Sequence, residues 1–191
     1  MQKAQNGSEP ITATKTSATK GWSYRGYLPH FDNGERIQFI TFRLYDSVPE
    51  HVIEQWKNEL NWRESLAADS KETIELYKRI ELYADAGYGQ CFLKDKRIFQ
   101  LIENTLLHFD QQRYELYEWK IMPNHVHLLC KIYPAWNLEN ILHSWKSYTS
   151  HQANKILNRT GQFWMEDYYD RYIRDKTHFI NTVKYIQNNG Q

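Results

Sequence analysis

The hydrophobic pattern of the chain alternates between periods of about two and about 3.6 residues. Arg36 to Leu44 (RIQFITFRL) places Ile37, Phe39 and Thr41 on one face of an extended chain and Gln38, Ile40 and Phe42 on the other. Both faces are largely apolar, which predicts a central strand. Ser47-Val48-Pro49-Glu50 has the form of a capping box with proline near the first helical position. Val52, Ile53, Trp56 and Leu60 then mark one face of a helix. A second helical run covers Lys71 to Ala86 and ends at Gly87, a C-terminal cap. Gly87 to Leu93 is a loop. Asp95 caps an amphipathic helix whose apolar residues Ile98, Leu101, Ile102, Leu106 and Phe109 keep the three- and four-residue spacing throughout. Tyr114 to Met122 and His125 to Tyr133 read as strands joined by the short turn Pro123-Asn124, hence an antiparallel hairpin. Asn137 caps a further helix with the stripe Leu138, Ile141, Leu142, Trp145 and Ile156. After a turn at Asn158 to Gln162 come a short strand near Tyr169 to Arg174 and a last helix from about Lys176.

This order is a split βαβ pattern. It predicts an α+β, ferredoxin-like fold: a four-stranded antiparallel sheet with helices packed on one face, leaving the other face for chemistry. The two helices at about 49–86 are an elaboration of the first crossover. Residues 1–21, rich in Thr, Ser, Lys and Ala, read as a disordered tail. Trp22 to Asp32, aromatic and punctuated by Gly and Pro, reads as an ordered loop. Residues 22–191 are then one domain.

Composition narrows the function classes. The chain has 191 residues, 41% of them hydrophobic and 15% aromatic, enough for one domain with its own core. The net charge of +1 rules out a global basic field, so any nucleic-acid contact has to use a local patch. Cys91 and Cys130 form no Cys-x-x-Cys pair, which argues against a disulfide framework and places the chain in a reducing cytoplasm. No apolar run approaches the roughly 18 residues of a membrane span, and the first residues lack the apolar segment of a secretory signal.

The chemistry centres on Pro123-Asn124-His125-Val126-His127-Leu128-Leu129. On a strand His125 and His127 point to one face while Val126 and Leu128 point to the other. Two neutral imidazoles side by side are half of a divalent-metal site; alone, a His-x-His is better explained by two solvent-facing histidines. In the last helix Phe179, Val183 and Ile186 cluster on the side that would pack on the sheet. Tyr185 lies about 200° of helical rotation from Val183. It is a surface residue or a nucleophile, and Asn189, one turn further on, offers an amide oxygen as a third ligand. The rivals Tyr168, Tyr169 and Tyr172 lie on or beside a strand and are expected to pack or stack.

Three stretches occur in order: MPNHVHLL (Met122 to Leu129), FWMEDYYDRYIRD (Phe163 to Asp175) and VKYIQNN (Val183 to Asn189). Together they resemble the IS200/IS605-type Y1 transposases, and more closely the REP-associated tyrosine transposases. The likeness extends over about residues 22–191, including RGYLPHFD (Arg25 to Asp32) and QFITFRLYDSVPE (Gln38 to Glu50). It implies the HUH-superfamily version of the ferredoxin-like sheet, with the His-x-His pair at His125 and His127, the tyrosine nucleophile at Tyr185 and the third metal ligand at Asn189. The family usually reads Asn-Pro after the tyrosine motif and continues. Here Gly190 and Gln191 follow Asn189, so a departure is expected in the hold on DNA rather than in the fold.

The implied activity is Mg²⁺- or Mn²⁺-dependent cleavage and joining of single-stranded or hairpin DNA near palindromic repeats, through a covalent 5′-phosphotyrosine. Arg25, Lys120, Lys146, Arg171 and Arg174 are the candidate phosphate contacts. Trp22, Tyr24, Tyr27 and His30 are candidates for base stacking. The expected setting is the cytoplasm, at the nucleoid, as a monomer or homodimer and without a membrane. Two other readings share the fold. One is a catalytically idle repeat-DNA-binding module, whose binding would ignore Tyr185→Phe. The other is a phosphoesterase that activates water, whose cleavage would survive it.

Overall fold

The computed structural model describes residues 21–24, 29–32, 36–63, 66 and 70–190. The main sheet contains β3 (Ile37–Arg43), β4 (Tyr114–Ile121), β5 (His125–Ile132) and β6 (Tyr169–Tyr172) in the order β4-β5-β3-β6. All three pairings are antiparallel. With α3 (Lys96–His108) between β3 and β4, and α4 (Leu138–Ile156) between β5 and β6, this is the ferredoxin-like topology that the element order predicts. Two further helices, α1 (Glu50–Glu59) and α2 (Lys71–Asp85), follow β3, and α5 (Lys176–Asn188) follows β6.

Strand alternation divides the side chains between two environments. On one face Ile40, Phe42, Val126, Leu128, Cys130 and Ile132 are buried. They form one core with Ile98, Ile102 and Leu106 of α3 and with Leu138, Ile141, Leu142 and Trp145 of α4. This is the expected helical layer. Tyr114 is fully buried there with its hydroxyl satisfied: it donates to the Leu106 carbonyl at 2.6 Å and accepts from the Trp145 indole N–H at 3.2 Å. On the opposite face Phe39 and Leu129 pack with Ile186, flanked by Phe179 and Val183, so α5 rests its apolar stripe on the sheet as its wheel predicts. Val48, Ile53, Leu76, Ile80 and Ala84 form a smaller core that ties α1 to α2. Tyr77 of α2 joins the Phe39 cluster. The face that carries the histidines is therefore flanked by α2 and α5.

Local signals explain the boundaries. Ser70, Asp95, Asn137 and Asp175 cap α2, α3, α4 and α5 through side-chain oxygens that accept backbone N–H groups. The capping box expected at Ser47 does not form. Pro49 is the N-cap of α1 and makes no side-chain cap, while the Ser47 hydroxyl turns back to donate to the Leu44 carbonyl at 2.8 Å. Gly87, at φ +76°, ends α2 as expected. The stretch expected as a loop from Trp22 to Asp32 is instead a two-stranded antiparallel ribbon, β1 (Gly21–Tyr24) with β2 (Pro29–Asp32). Its aromatic residues favour extended chain, and proline is accommodated at the first position of a strand. Residues 1–20, the bulk of the expected tail, lie outside the described residues. Among the described residues no helix is long and apolar enough to cross a membrane.

Leu128, fully buried between the sheet and its helical layer, should be among the costliest residues to truncate. Leu128→Ala is expected to lower the unfolding free energy by about 2–5 kcal/mol. Leu107→Ala, on the exposed side of α3, should stay within about 0.5 kcal/mol of wild type. Guanidinium denaturation of the two variants checks the difference.

Candidate metal and nucleophile site

The site begins at the β4–β5 turn. Asn124 is fully buried, and its amide N–H₂ donates to the carbonyls of Ala84, at 3.0 Å, and Tyr88, at 2.9 Å. Both donors are thereby used, which leaves its oxygen to accept from His125 Nδ1 at 2.8 Å. His125 therefore carries a proton on Nδ1, and its Nε2 faces His127. In β5 His127 stands opposite Thr41 of β3, and its Nδ1 lies 2.8 Å from the Thr41 hydroxyl. That hydroxyl is 3.4 Å from the Tyr77 hydroxyl. His127 Nε2 faces the Asn189 amide N–H₂ at 2.7 Å, and an amide N–H₂ only donates, so Nε2 accepts and the His127 proton is on Nδ1, towards Thr41.

The two Nε2 atoms are 2.9 Å apart. Two bare nitrogen lone pairs at that distance would repel, so a proton or a cation is required between them. Two ligands of an octahedral ion with bonds of about 2.1 Å stand about 3.0 Å apart, so this spacing fits a small divalent cation. Burial holds His127 well below its ordinary pKa, with the neighbouring His125 and Lys120 acting in the same direction, so it stays neutral and able to ligate.

Two helices bring the remaining groups. Asn189 is buried at the C-terminal end of α5, and its amide N–H₂ meets His127 Nε2 at 2.7 Å. Turning that amide over presents its oxygen at the same place, as a third ligand. Gly190 follows at φ +76°, and a Cβ there would meet the Met122 methyl at 2.5 Å, so the turn that seats Asn189 suits glycine. One turn earlier, Tyr185 is 41% exposed, with its ring edge-on to His127 and Phe39. Its hydroxyl donates to Glu81 Oε2 at 2.7 Å and lies 3.4 Å from the Asn189 amide nitrogen. Burial, and next the Glu81 charge, raise the Tyr185 pKa above its ordinary value. Desolvation likewise raises the pKa of buried Glu81, against His125 and the two tyrosines, which stabilise its charge. Asp85, one turn along α2, reaches 3.4 Å from His125 Nε2. Ligand atoms of Asp85, His125 and His127 all lie within 4.8 Å of one another.

The expected site residues thus fall into two groups. His125, His127, Asn189 and Tyr185 come together on one sheet face. The rival tyrosines are engaged elsewhere: Tyr169 stacks on Tyr77 at 3.5 Å, Tyr168 is buried in the core, and Tyr172 lies under the Arg36 guanidinium. Of the cations, Lys120 is opposite His127 on β4 and donates to the Gln187 carbonyl near the end of α5, at 2.8 Å. Arg171 lines an open cavity of about 490 Å³ that also reaches Tyr185. Arg174 is exposed just beyond β6, its backbone N–H on His178. Lys146 departs from expectation: its ammonium group lies within 3.3 Å of the carbonyls of Met165, Glu166 and Asp167, which use its three protons. Burial brings its pKa down to about 8. It pins the chain before β6 rather than facing a phosphate. Arg25 and Tyr27 lie outside the described residues.

Sequence reasoning passed over Asn124, Glu81 and Asp85. Asn124 reads as a turn residue. Tyr77, Glu81 and Asp85 recur every four residues on α2, a stripe beside the apolar Leu76, Ile80 and Ala84, yet acidic residues on a helix are ordinarily solvated.

Comparison with known proteins gives one family. The model of the IS200-like transposases matches residues 91–189, just over half of the chain, including both histidines, Tyr185 and Asn189. No curated protein matches the chain. Among solved structures, a REP-associated tyrosine transposase bound to a REP hairpin is 13% identical, over 86% of this chain and 69% of that one, with a TM-score of 0.48. A Deinococcus radiodurans R1 structure described as a transposase is also 13% identical, over 87% of this chain and 96% of that one, with a TM-score of 0.37.

The neutrality of His127 sets a pH dependence. Its folded-state pKa lies below the unfolded value of about 6.5, so in that interval the unfolded chain binds more protons and stability falls as pH falls. In the presence of a chelator, wild type should lose stability relative to His127→Gln below about pH 6.5. Urea denaturation across pH 5–8 checks the sign.

Proposed function

The chain belongs to the IS200-like transposase family, and from that premise we propose that it is a divalent-metal-dependent strand transferase acting on single-stranded, hairpin-forming repeat DNA through a covalent bond to Tyr185. The observation that carries this reading is one continuous set of contacts: His125 Nε2 to His127 Nε2, His127 to Asn189, Asn189 to the Tyr185 hydroxyl, and that hydroxyl to Glu81. The hairpin and repeat preference follows the resemblance of the MPNHVHLL, DYYDRYIRD and VKYIQNN motifs to REP-associated members.

His125, His127 and the Asn189 amide oxygen would hold the cation, with Asp85 within reach as a further ligand. Bound there, Mg²⁺ or Mn²⁺ supplies positive charge to polarise the scissile phosphate. The chain's own residues do the rest. The Tyr185 oxygen attacks phosphorus, forming the P–O(Tyr) bond. The bond to the 3′-oxygen breaks, giving a 5′-phosphotyrosine and a strand that ends, once protonated, in a 3′-OH. The phenolic proton leaves along a hydrogen bond already made, to Glu81, and burial, by raising the Glu81 pKa, suits that carboxylate to take it. Attack by a 3′-OH on the tyrosyl ester reverses the sequence on the same or another strand. The number of phosphodiester-type bonds is conserved, so no nucleotide cofactor is consumed. Lys120, Arg171 and Arg174 are the cations placed near this path.

Incubation with a pool of hairpin oligonucleotides and Mn²⁺, read on a denaturing gel, tests the reading. Wild type should give a slow-migrating protein–DNA adduct, lost in Tyr185→Phe and on chelation. Glu81→Gln should slow adduct formation by about 10²-fold or more. Cleavage that survives Tyr185→Phe would replace tyrosine with water as the nucleophile, and hairpin binding without cleavage or adduct would leave the idle module.

The metal can be followed without DNA. At 100 times its dissociation constant, Mn²⁺ should stabilise the fold by about 2.7 kcal/mol. The accompanying rise in melting temperature should vanish in His127→Gln and shrink in Asp85→Asn.

A further inference from the structure

We propose that the open cavity beside Tyr185 is a pocket for one unpaired nucleobase, that of a nucleotide flanking the phosphate under attack. This rests on the strand-transferase reading and assigns one part of the DNA to one wall of the site. The cavity, about 490 Å³, is formed between α2, β6 and α5 with Phe39 of β3, and its size is in the range of sites that enclose a small ligand.

Its apolar wall is Phe39, Tyr77, Tyr169 and Leu82. Tyr77 and Tyr169 stack with centroids 3.5 Å apart and planes 14° apart, and Phe39 meets Tyr169 and Tyr185 edge-on. Each ring is held by another, so the wall is stiff and aromatic, the kind of surface on which unpaired bases stack. The polar wall is α5. His178, Asn181 and Tyr185 recur at three- and four-residue spacing and form one stripe that leads to the nucleophile. His178 Nδ1 accepts the Arg174 backbone N–H at 3.2 Å, which leaves Nε2–H as a donor. The Asn181 amide offers both a donor and an acceptor. A mixed set of this kind suits the edge of a base; a phosphate would be met by donors alone.

Charge makes the same choice. Lys78 and Arg171 line the cavity, but so do Glu81 and Asp85, so the formal charges cancel. A second phosphate drawn in would stand against two carboxylates, whereas an uncharged base avoids that repulsion. The phosphate under attack stays at the Tyr185 hydroxyl, on the rim between cavity and histidines. One flanking nucleotide then has a concave surface on the side away from the histidines.

The test uses hairpin oligonucleotides randomised around the foot of the hairpin, with Mn²⁺, and sequences the DNA recovered in the covalent adduct. Wild type should show a base preference of about tenfold at one position flanking the cut, the size that one bidentate base contact supports. Asn181→Leu should flatten the preference at that position only. Leu82→Trp, a change at a residue 70% exposed, should fill the mouth and cut adduct yield about tenfold or more at an unchanged melting temperature. Adducts with no flanking preference, or with the same preference in all three proteins, overturn the pocket and leave the transferase intact. No adduct from any oligonucleotide with wild type overturns the transferase reading, and the pocket with it.

Discussion

Two imidazole nitrogens held 2.9 Å apart are the constraint on which the site depends. Neither ring can relieve the contact by exchanging tautomers, because each Nδ1–H is already used. Asn124 fixes one through the carbonyls of Ala84 and Tyr88, and Thr41 and the Asn189 amide fix the other. The pairing of β5 with β3 is equally committed. His127 stands opposite Thr41 and His125 opposite Arg43. A slip of one residue would turn both histidines into the apolar core and bring Val126 and Leu128 out. The aliphatic residues that stabilise the sheet are thus also what holds the ligands on the correct face.

The opposite face shows the cost of that commitment. Glu81 and the two histidines are buried polar groups, and breaking a buried charged network by removing one partner typically costs about 3–5 kcal/mol. Each has its partner within the site: Tyr185 for Glu81, Thr41 for His127, Asn124 for His125. The hydroxyl of Tyr185, the proposed nucleophile, therefore satisfies a buried carboxylate in the resting protein. The raised pKa of Tyr185 follows from burial first and from the same contact second. Near Glu81 the phenol stays protonated until positive charge arrives nearby.

What could be read from the sequence follows the range of the interactions. The strands, the amphipathic stripes of α3 and α5 and the side-chain caps at Ser70, Asp95, Asn137 and Asp175 depend on neighbours within a few residues, so local pattern discloses them. His125 with His127, and Tyr185 with Asn189, are likewise fixed by strand and helix periods of two and about four, and both pairs were legible. Glu81 and Asp85 were not. Their partners lie 40 to 104 residues away in the chain, across α2, β5 and α5, and an acidic stripe carries no mark that distinguishes burial from solvation. Lys146 failed in the reverse sense: its position near the site in chain order said nothing of the three carbonyls that hold it. Ser47 failed because its hydroxyl turns back to donate to the Leu44 carbonyl, and Pro49 takes the N-cap position in its place.

The inserted α1–α2 segment, which in sequence looks like an elaboration of the crossover, supplies what the shared motif lacks. Two neutral imidazoles and an amide oxygen carry no net charge, so a divalent cation among them would be uncompensated in a buried setting. Opposite charges about 4 Å apart attract by roughly 4 kcal/mol at an effective dielectric of 20. Glu81 lies 3.8 Å from His127 Nε2, and Asp85 lies 3.4 Å from His125 Nε2. Both carboxylates are therefore close enough to offset most of the cation's charge before any DNA is present. They also repel a phosphate that strays past the nucleophile. In the proposed site the histidines and Asn189 would decide where a cation sits, and α2 whether it stays without substrate. The same helix then lends Tyr77 and Leu82 to the wall beside Tyr185.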